Sequence, residues 1–197
     1  MKKIVIINGN PYKESFSSAL VEAYSIAACK ENTTVRVIAL GELSFNPNLQ
    51  FGYSQRMELE PDLVQALEDL HWGDHHVWVY PTWWLGMPAL MKGFFDRAFL
   101  PGITFKKGID GVSIGLFTGK TARVITTSGD LSFEEYKAIY QASGDIQLQE
   151  GILKYCGISS IASTFIGNFH LLSEQQRVEW LRAMPGLVLE DIAGINV

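Results

Sequence analysis

The run "HHVWVYPTWWLGMPALMKGFFDRAF", residues 75–99, decides how this chain is read. Its first six residues, 75–80, are dense in β-branched and aromatic side chains, the composition of a strand buried on both faces. Pro81 then interrupts the run, because proline has no N–H to give a central ladder. From Pro88 the apolar positions Leu90, Met91, Phe94, Phe95, Ala98 and Phe99 recur at helical spacing. The stretch is therefore strand, loop and helix in succession. The loop carries Trp83 and Trp84 side by side, and aromatic surface of that size is costly to leave in water. Two explanations are open: another part of the protein covers the pair, or a flat apolar ligand lies against it.

The same alternation repeats outward in both directions. "KIVIIN" (3–8) is a continuous apolar run, and residues 15–30 read as a helix with Leu20, Ala23, Tyr24 and Ala27 on one side and serines at its start. "TVRVIAL" (34–40) is a second strand, and 61–72 a helix opening with Pro61 and Asp62, which suit an N-terminus. "ARVITT" (122–127) is the fourth strand, helical segments follow, and "SSIASTFIG" (159–167) is the fifth. Residues 173–184 close the chain as an amphipathic helix with Trp180 and Leu181 inward. No repeat, low-complexity linker or shift of composition divides residues 1–197, which read as one domain. Strand–helix alternation predicts a three-layer α/β fold, a five-stranded parallel sheet with helices on both faces. Such sheets bind ligands at the carboxyl ends of their strands, where strand order reverses. The loops after strands one, three and four are then the functional ones: "NGNPYKESFSS", "PTWWLG" and "TSGD".

Composition narrows the partners. With 47% hydrophobic and 19% charged residues the 197-residue chain is globular in character, and its net charge of −5 argues against nucleic acid. The opening "MKKIVIINGNP" has too short an apolar core for a signal peptide, and no stretch approaches the length of a membrane-spanning helix. Cys29 and Cys156 lie far apart in apolar surroundings and read as buried free thiols, so the expected location is the cytoplasm. Four histidines form no metal motif: His75 and His76 are adjacent on a strand and should face opposite sides, while Gly73 separates His71 from His75.

The first loop leaves its strand through Gly9 and enters a helix through Ser15, Ser17 and Ser18. Hydroxyls and free N–H groups at a helix N-terminus form an anion site, although ordinary capping explains the same serines. GxGxxG is absent, and "GLFTGKT" (115–121) has three residues between its glycines where a Walker loop needs four, and runs into a strand. The third-strand loop offers flat apolar walls. The fourth offers Thr126, Thr127, Ser128 and Gly129, hydroxyls beside a glycine that permits close approach. Phosphate donors at one end and an aromatic slot at the other suit a phosphorylated planar ring such as flavin mononucleotide.

These loops resemble one family, the flavodoxin-like NAD(P)H:quinone oxidoreductases, which includes DT-diaphorase-type enzymes and ancillary subunits of bacterial potassium-efflux systems. "NPYKESFSSAL" resembles its H-P-x-x-x-S-F-N-x-A-L segment. "YPTWWLGMPALMKGFFDRAF" resembles P-x-Q-W-F-x-x-P-A-x-L-K-G-W-x-D-R-V-F, "GKTARVITTSG" its T-T-G-G loop, and "GILKYCGI" (151–158) its G-x-L-x-[FY]-C-G. The resemblance implies that Asn10, Ser15, Phe16, Ser17 and Ser18 hold the flavin phosphate and ribityl chain. Pro81, Thr82, Trp83, Trp84 and Leu85 would line the ring, and Thr126, Thr127, Ser128 and Gly129 would contact its other polar edge. Asn10 stands where the family has histidine, Trp83 replaces a glutamine, and Ser128 replaces a glycine. Tyr136 would be the catalytic tyrosine beside the flavin; the family histidine that partners it has no match.

The implied activity is an NAD(P)H:quinone oxidoreductase. Hydride passes from NAD(P)H through bound flavin to a quinone-like acceptor by a ping-pong mechanism. FMN is expected rather than FAD, because the chain stops soon after its last helix. The family also implies a homodimer, which would cover the tryptophans with flavin on one side and a partner subunit on the other; the helix with Phe94, Phe95 and Phe99 would belong to the same region. Two other readings of the resemblance are a regulatory ancillary subunit docked on a membrane transporter and a flavodoxin-type electron carrier.

Overall fold

The computed structural model describes residues 1–195, so residues 196 and 197 of the expected domain lie outside the described residues. The strands and helices run β1 (Lys2–Asn8), α1 (Phe16–Cys29), β2 (Thr33–Ala39), α2 (Pro61–Trp72), β3 (His75–Pro81) and α3 (Ala89–Ala98). Then come β4 (Phe105–Lys107), β5 (Ser113–Gly115), β6 (Thr121–Thr127), α4 (Phe133–Ala138) and α5 (Ser143–Asp145). A π-helix over Ile146–Lys154 extends α5, and β7 (Ser160–Ile166) and α6 (Glu174–Gly194) follow. Strands β2-β1-β3-β6-β7 form one sheet in that order, every neighbouring pair parallel. This is the predicted five-stranded sheet, with order reversing between β1 and β3.

Alternation along each strand divides the core in two. Ile4, Ile6, Val77, Val79 and Ile125 face α1 and α6, together with Leu20, Tyr24, Met184 and Val188. Val5, Ile7, Trp78, Tyr80 and Val124 face α2 and α3, with Phe94, Phe95, Phe99 and Phe117. Every residue of β3 is buried, which is why its sequence shows no polar alternation. Phe94, Phe95 and Phe99 are 0%, 3% and 8% exposed and pack edge-to-face on one another, with Phe95 and Phe99 also against Trp78. The expectation that these rings belong to a ligand or dimer surface is therefore corrected: they are core of a single chain, each contributing about 1.5–3 kcal/mol by burial.

Three other expectations change. Cys29, at the last turn of α1, is exposed rather than buried; Cys156 is buried, and that burial pushes its thiol up to about 11. Residues 105–115 form an antiparallel ribbon, β4 with β5, in strands of only three residues each. Helix α6 does not stop at residue 184 but runs through Pro185 to Gly194. Pro185 forfeits one backbone bond. The continuation is held because Met184, Val188 and Asp191 are buried, and Trp180 and Leu181 only partly so.

Asp191 supplies the strongest of these attachments. Its carboxylate accepts from Arg123 Nε at 2.7 and 2.9 Å and from the Tyr24 hydroxyl at 2.7 Å, with His75 Nε2 3.5 Å away. Arg123 also donates to Glu190 and Thr164. Burial works to raise the Asp191 pKa, but His75, Arg123 and Tyr24 outweigh it and hold the carboxyl below its usual range. His75 bonds Thr121 and His76 bonds the Leu70 carbonyl, so the two rings face opposite sides of the sheet, as the sequence predicts. No helix among the described residues is long and apolar enough to cross a membrane.

Candidate functional site

Register brings the loops together. Asn8 lies opposite Val79, Pro81 opposite Thr127, and Thr127 opposite Ile166, so β1, β3, β6 and β7 all end along one edge. Four loops issue from that edge side by side. Between them lies a cavity of about 440 Å³, lined by Asn10, Ser15, Phe16, Ser17, Pro81, Thr82, Trp83, Trp84, Thr127, Gly129, Phe169 and His170.

The loop after β1 is laced by its own side chains. Gly9 N–H donates to the Val79 carbonyl at 2.8 Å, and a Cβ there would strike Met91 Sδ at 2.5 Å, so only glycine fits. Asn8 Nδ2 donates to Ser18 Oγ at 2.9 Å, and Asn10 Nδ2 to Ser17 Oγ at 3.4 Å. Ser15 caps α1 by accepting from Ser18 N–H at 3.2 Å. The N–H groups of Phe16 and Ser17 come earlier in the helix and have no intrahelical acceptor by construction. They give the positive end of the α1 dipole to the cavity.

The loop after β3 is a tight hairpin. Thr82 N–H donates to the Thr127 carbonyl at 2.7 Å; Trp83 and Gly86 exchange bonds of 2.8 and 3.0 Å. The two residues between them, Trp84 and Leu85, have φ of 52° and 65°. That is the geometry of a type I′ turn, which favours Asn-Gly. Each bulky residue held there costs roughly 1–3 kcal/mol. Trp83 is 48% exposed and Trp84 fully exposed. Strained backbone and uncovered indole at one turn mark a place shaped for something other than stability.

Behind that turn stands Tyr136. Its ring is 1% exposed and stacks on Phe165 at 4.7 Å, and its hydroxyl accepts from Asp145 N–H at 2.9 Å. Burial first, then the Asp145 carboxylate, pushes its pKa up to about 12. A Cβ on Gly144 would meet the Leu85 carbonyl at 2.4 Å and the Tyr136 hydroxyl at 2.8 Å, so Gly144 packs directly under the strained turn. Tyr136 thus lies outside the cavity lining, against the back of its wall.

The sequence-predicted residues divide clearly. Asn10, Ser15, Phe16, Ser17, Pro81, Thr82, Trp83, Trp84, Thr127 and Gly129 line one cavity. Ser18, Leu85, Thr126 and Ser128 do not. Ser18 is taken up by Asn8 and Ser15, and Leu85 turns its carbonyl to Gly144. Thr126 is 1% exposed, and Ser128 bonds Ile166 and Phe169 through its backbone. Phe169 and His170 are lining residues that sequence reasoning missed. They follow the fifth strand at the same edge, so the rule that selected the other three loops reaches them too.

A family model described as flavodoxin-like fold matches residues 2–184. Over 181 residues the chain is 28% identical to an uncharacterised NAD(P)H oxidoreductase of Haemophilus influenzae, covering 90% of this chain and 89% of that one. It is 24% identical to NAD(P)H dehydrogenase (quinone) 1 of Rattus norvegicus, with 92% and 74% covered. An FMN-dependent NADH-azoreductase of Bacillus anthracis, solved in complex with FMN, superposes with a TM-score of 0.74 at 18% identity, covering 96% of this chain and 99% of that one. That last likeness is one of fold.

Proposed function

Since the chain belongs to the flavodoxin-like fold family, we propose that it is a flavin-dependent NAD(P)H:quinone oxidoreductase. The observation that carries this reading is the meeting, in one cavity, of the N-terminus of α1 with a strained, uncovered tryptophan turn. The names borne by the rat and Haemophilus relatives support it. The residues present fit a phosphorylated flavin. The cavity volume is within the range of small-ligand sites, its anion end offers hydroxyls and backbone N–H groups, and its far wall is aromatic. FMN is the flavin we favour, the group named for the Bacillus structure.

Bound flavin supplies a ring that takes a hydride from NAD(P)H and gives it to a flat acceptor. The protein's part is orientation and electrostatics. Ser15, Phe16 and Ser17 would hold the phosphate, the Thr82–Trp84 backbone and the indoles would line the ring, and Thr127 and Gly129 would offer further polar contacts. In a ping-pong reaction NAD(P)H and the acceptor would use the open side of this cavity in turn. A second copy of the chain, placed over Trp84, would exclude water from that side. We read the protein as a homodimer on this ground. Tyr136, buried against Phe165 and beside Gly144, is read as a support of the turn.

Anaerobic stopped-flow mixing of the flavin-loaded protein with NADH or NADPH tests the reading. Rapid bleaching of the flavin, followed by recovery on adding a benzoquinone, is expected. Flavin that binds but is bleached by neither nucleotide would remove the oxidoreductase assignment.

A further inference from the structure

The cavity is lined almost wholly by neutral groups. Of its lining side chains, His170 alone is ionisable. An anion end made of serines and backbone N–H groups would leave a phosphate without a charged partner, yet one imidazole stands at the rim, and the fold takes trouble to place it.

The turn that carries it is fastened from several sides. Asn168 adopts φ 49°, which reverses the chain after β7. Asn168 N–H donates to the Leu131 carbonyl at 3.0 Å, Phe169 N–H to Ser128 at 2.8 Å, and His170 N–H to Gly129 at 3.1 Å. Three successive backbone bonds thus zip the turn onto the loop after β6. The Phe169 ring lies 4.9 Å from that of Phe16, the first residue of α1, and the Arg177 guanidinium covers it at 4.6 Å. The Phe16 contact brings Phe169, the residue before His170, beside the helix N-terminus, where the anion is expected. A Cβ on Gly129 would lie 2.7 Å from His170 Nε2, so glycine at that position is what lets the imidazole sit over the loop.

We infer that His170 is a ligand-binding residue, donating a ring N–H to the phosphate of the flavin nucleotide and so favouring phosphorylated flavin over riboflavin. The inference rests on the flavin reading above and adds to it the one ionisable side chain among the cavity's lining residues. Phe169 is the positioning residue: it holds no polar group toward the ligand and docks the turn on Phe16.

The test is a fluorescence titration of the full-length, flavin-stripped protein with FMN and, separately, with riboflavin. It is run on the wild type and on His170→Ala, His170→Gln and His170→Arg. A hydrogen bond to a charged group predicts that His170→Ala lowers FMN affinity by about tenfold or more and leaves riboflavin affinity within about twofold. His170→Arg should restore the preference and His170→Gln should restore part of it. An equal loss for both flavins would show that His170 packs rather than pairs, and overturns the inference. So would unchanged FMN affinity, including the case where only the KM for NADPH rises, which would assign the imidazole to the nicotinamide nucleotide. A wild type that binds neither flavin overturns the inference together with the function it rests on.

Discussion

The two ends of the sheet treat polar groups in opposite ways. At the amino end Arg123, Asp191, Tyr24 and Glu190 are tied into one another, and the buried charges of Arg123 and Asp191 answer each other at 2.7 Å. At the carboxyl end the leading N–H groups of α1 face a cavity, Trp84 is fully exposed, and two bulky residues are held at positive φ. At the amino end the buried charges are paired inside one chain, although His75 Nε2 and His76 Nδ1 are left without a hydrogen-bond partner. The carboxyl end has donors, aromatic surface and strain still to be used. Pairing of charge within the chain is what separates this structural polar cluster from the carboxyl-end cavity, although both contain polar side chains.

The comparison can be broken most forcefully at Asp191. Asp191→Ala leaves Arg123 buried without its closest partner and should cost about 3–5 kcal/mol, read by urea denaturation, while FMN affinity of the folded fraction is unchanged. The same group sets a pH dependence. Its pKa is depressed in the folded state, so its contribution is present above the unfolded value of about 3.9 and is lost as pH falls through the folded value. Acid denaturation of the wild type should therefore steepen below about pH 4, and that part of the profile should vanish in Asp191→Ala.

At the other end the expected effects are smaller and one reverses sign. Tyr136→Phe keeps the stack on Phe165 but strips Asp145 N–H of its acceptor, a loss of about 1–2 kcal/mol. Turnover should fall by less than about tenfold; a fall of about 10²–10⁴ would show that Tyr136 transfers a proton to substrate after all. Trp84→Asn places a residue that tolerates left-handed backbone where a fully exposed indole stood. It should stabilise the protein by about 1 kcal/mol while weakening flavin binding. Trp84→Asn that destabilises would mean the turn is not strained, and the contrast between the two ends would lose half its basis.

What the sequence made legible is what depends on local periodicity. The strands and helices from Lys2 to Ala98, the order-reversing sheet and three of the four site loops follow from apolar spacing and the rule for strand ends. What it hid depends on partners distant in sequence. Helix α6 passes Pro185 because Asp191 meets Arg123, 68 residues away. The ribbon β4–β5 is too short for any period to show. The φ of Trp84 and Leu85 contradicts their own preferences, so nothing local could announce an I′ turn. Tyr136 reads as a site residue beside its loop, and its burial against Phe165 and beside Gly144 is set by packing that the sequence does not display. Phe169 and His170 were within reach of the strand-end rule, which applies to the fifth strand as it does to the others.

The central claim is that the carboxyl edge holds a phosphorylated flavin through the N-terminus of α1 and the tryptophan turn. Denaturing the purified protein and identifying the released chromophore tests it most directly. The account predicts a yellow protein that releases FMN, one per chain, and rebinds it after stripping. A colourless protein that takes up neither FMN nor FAD would contradict it.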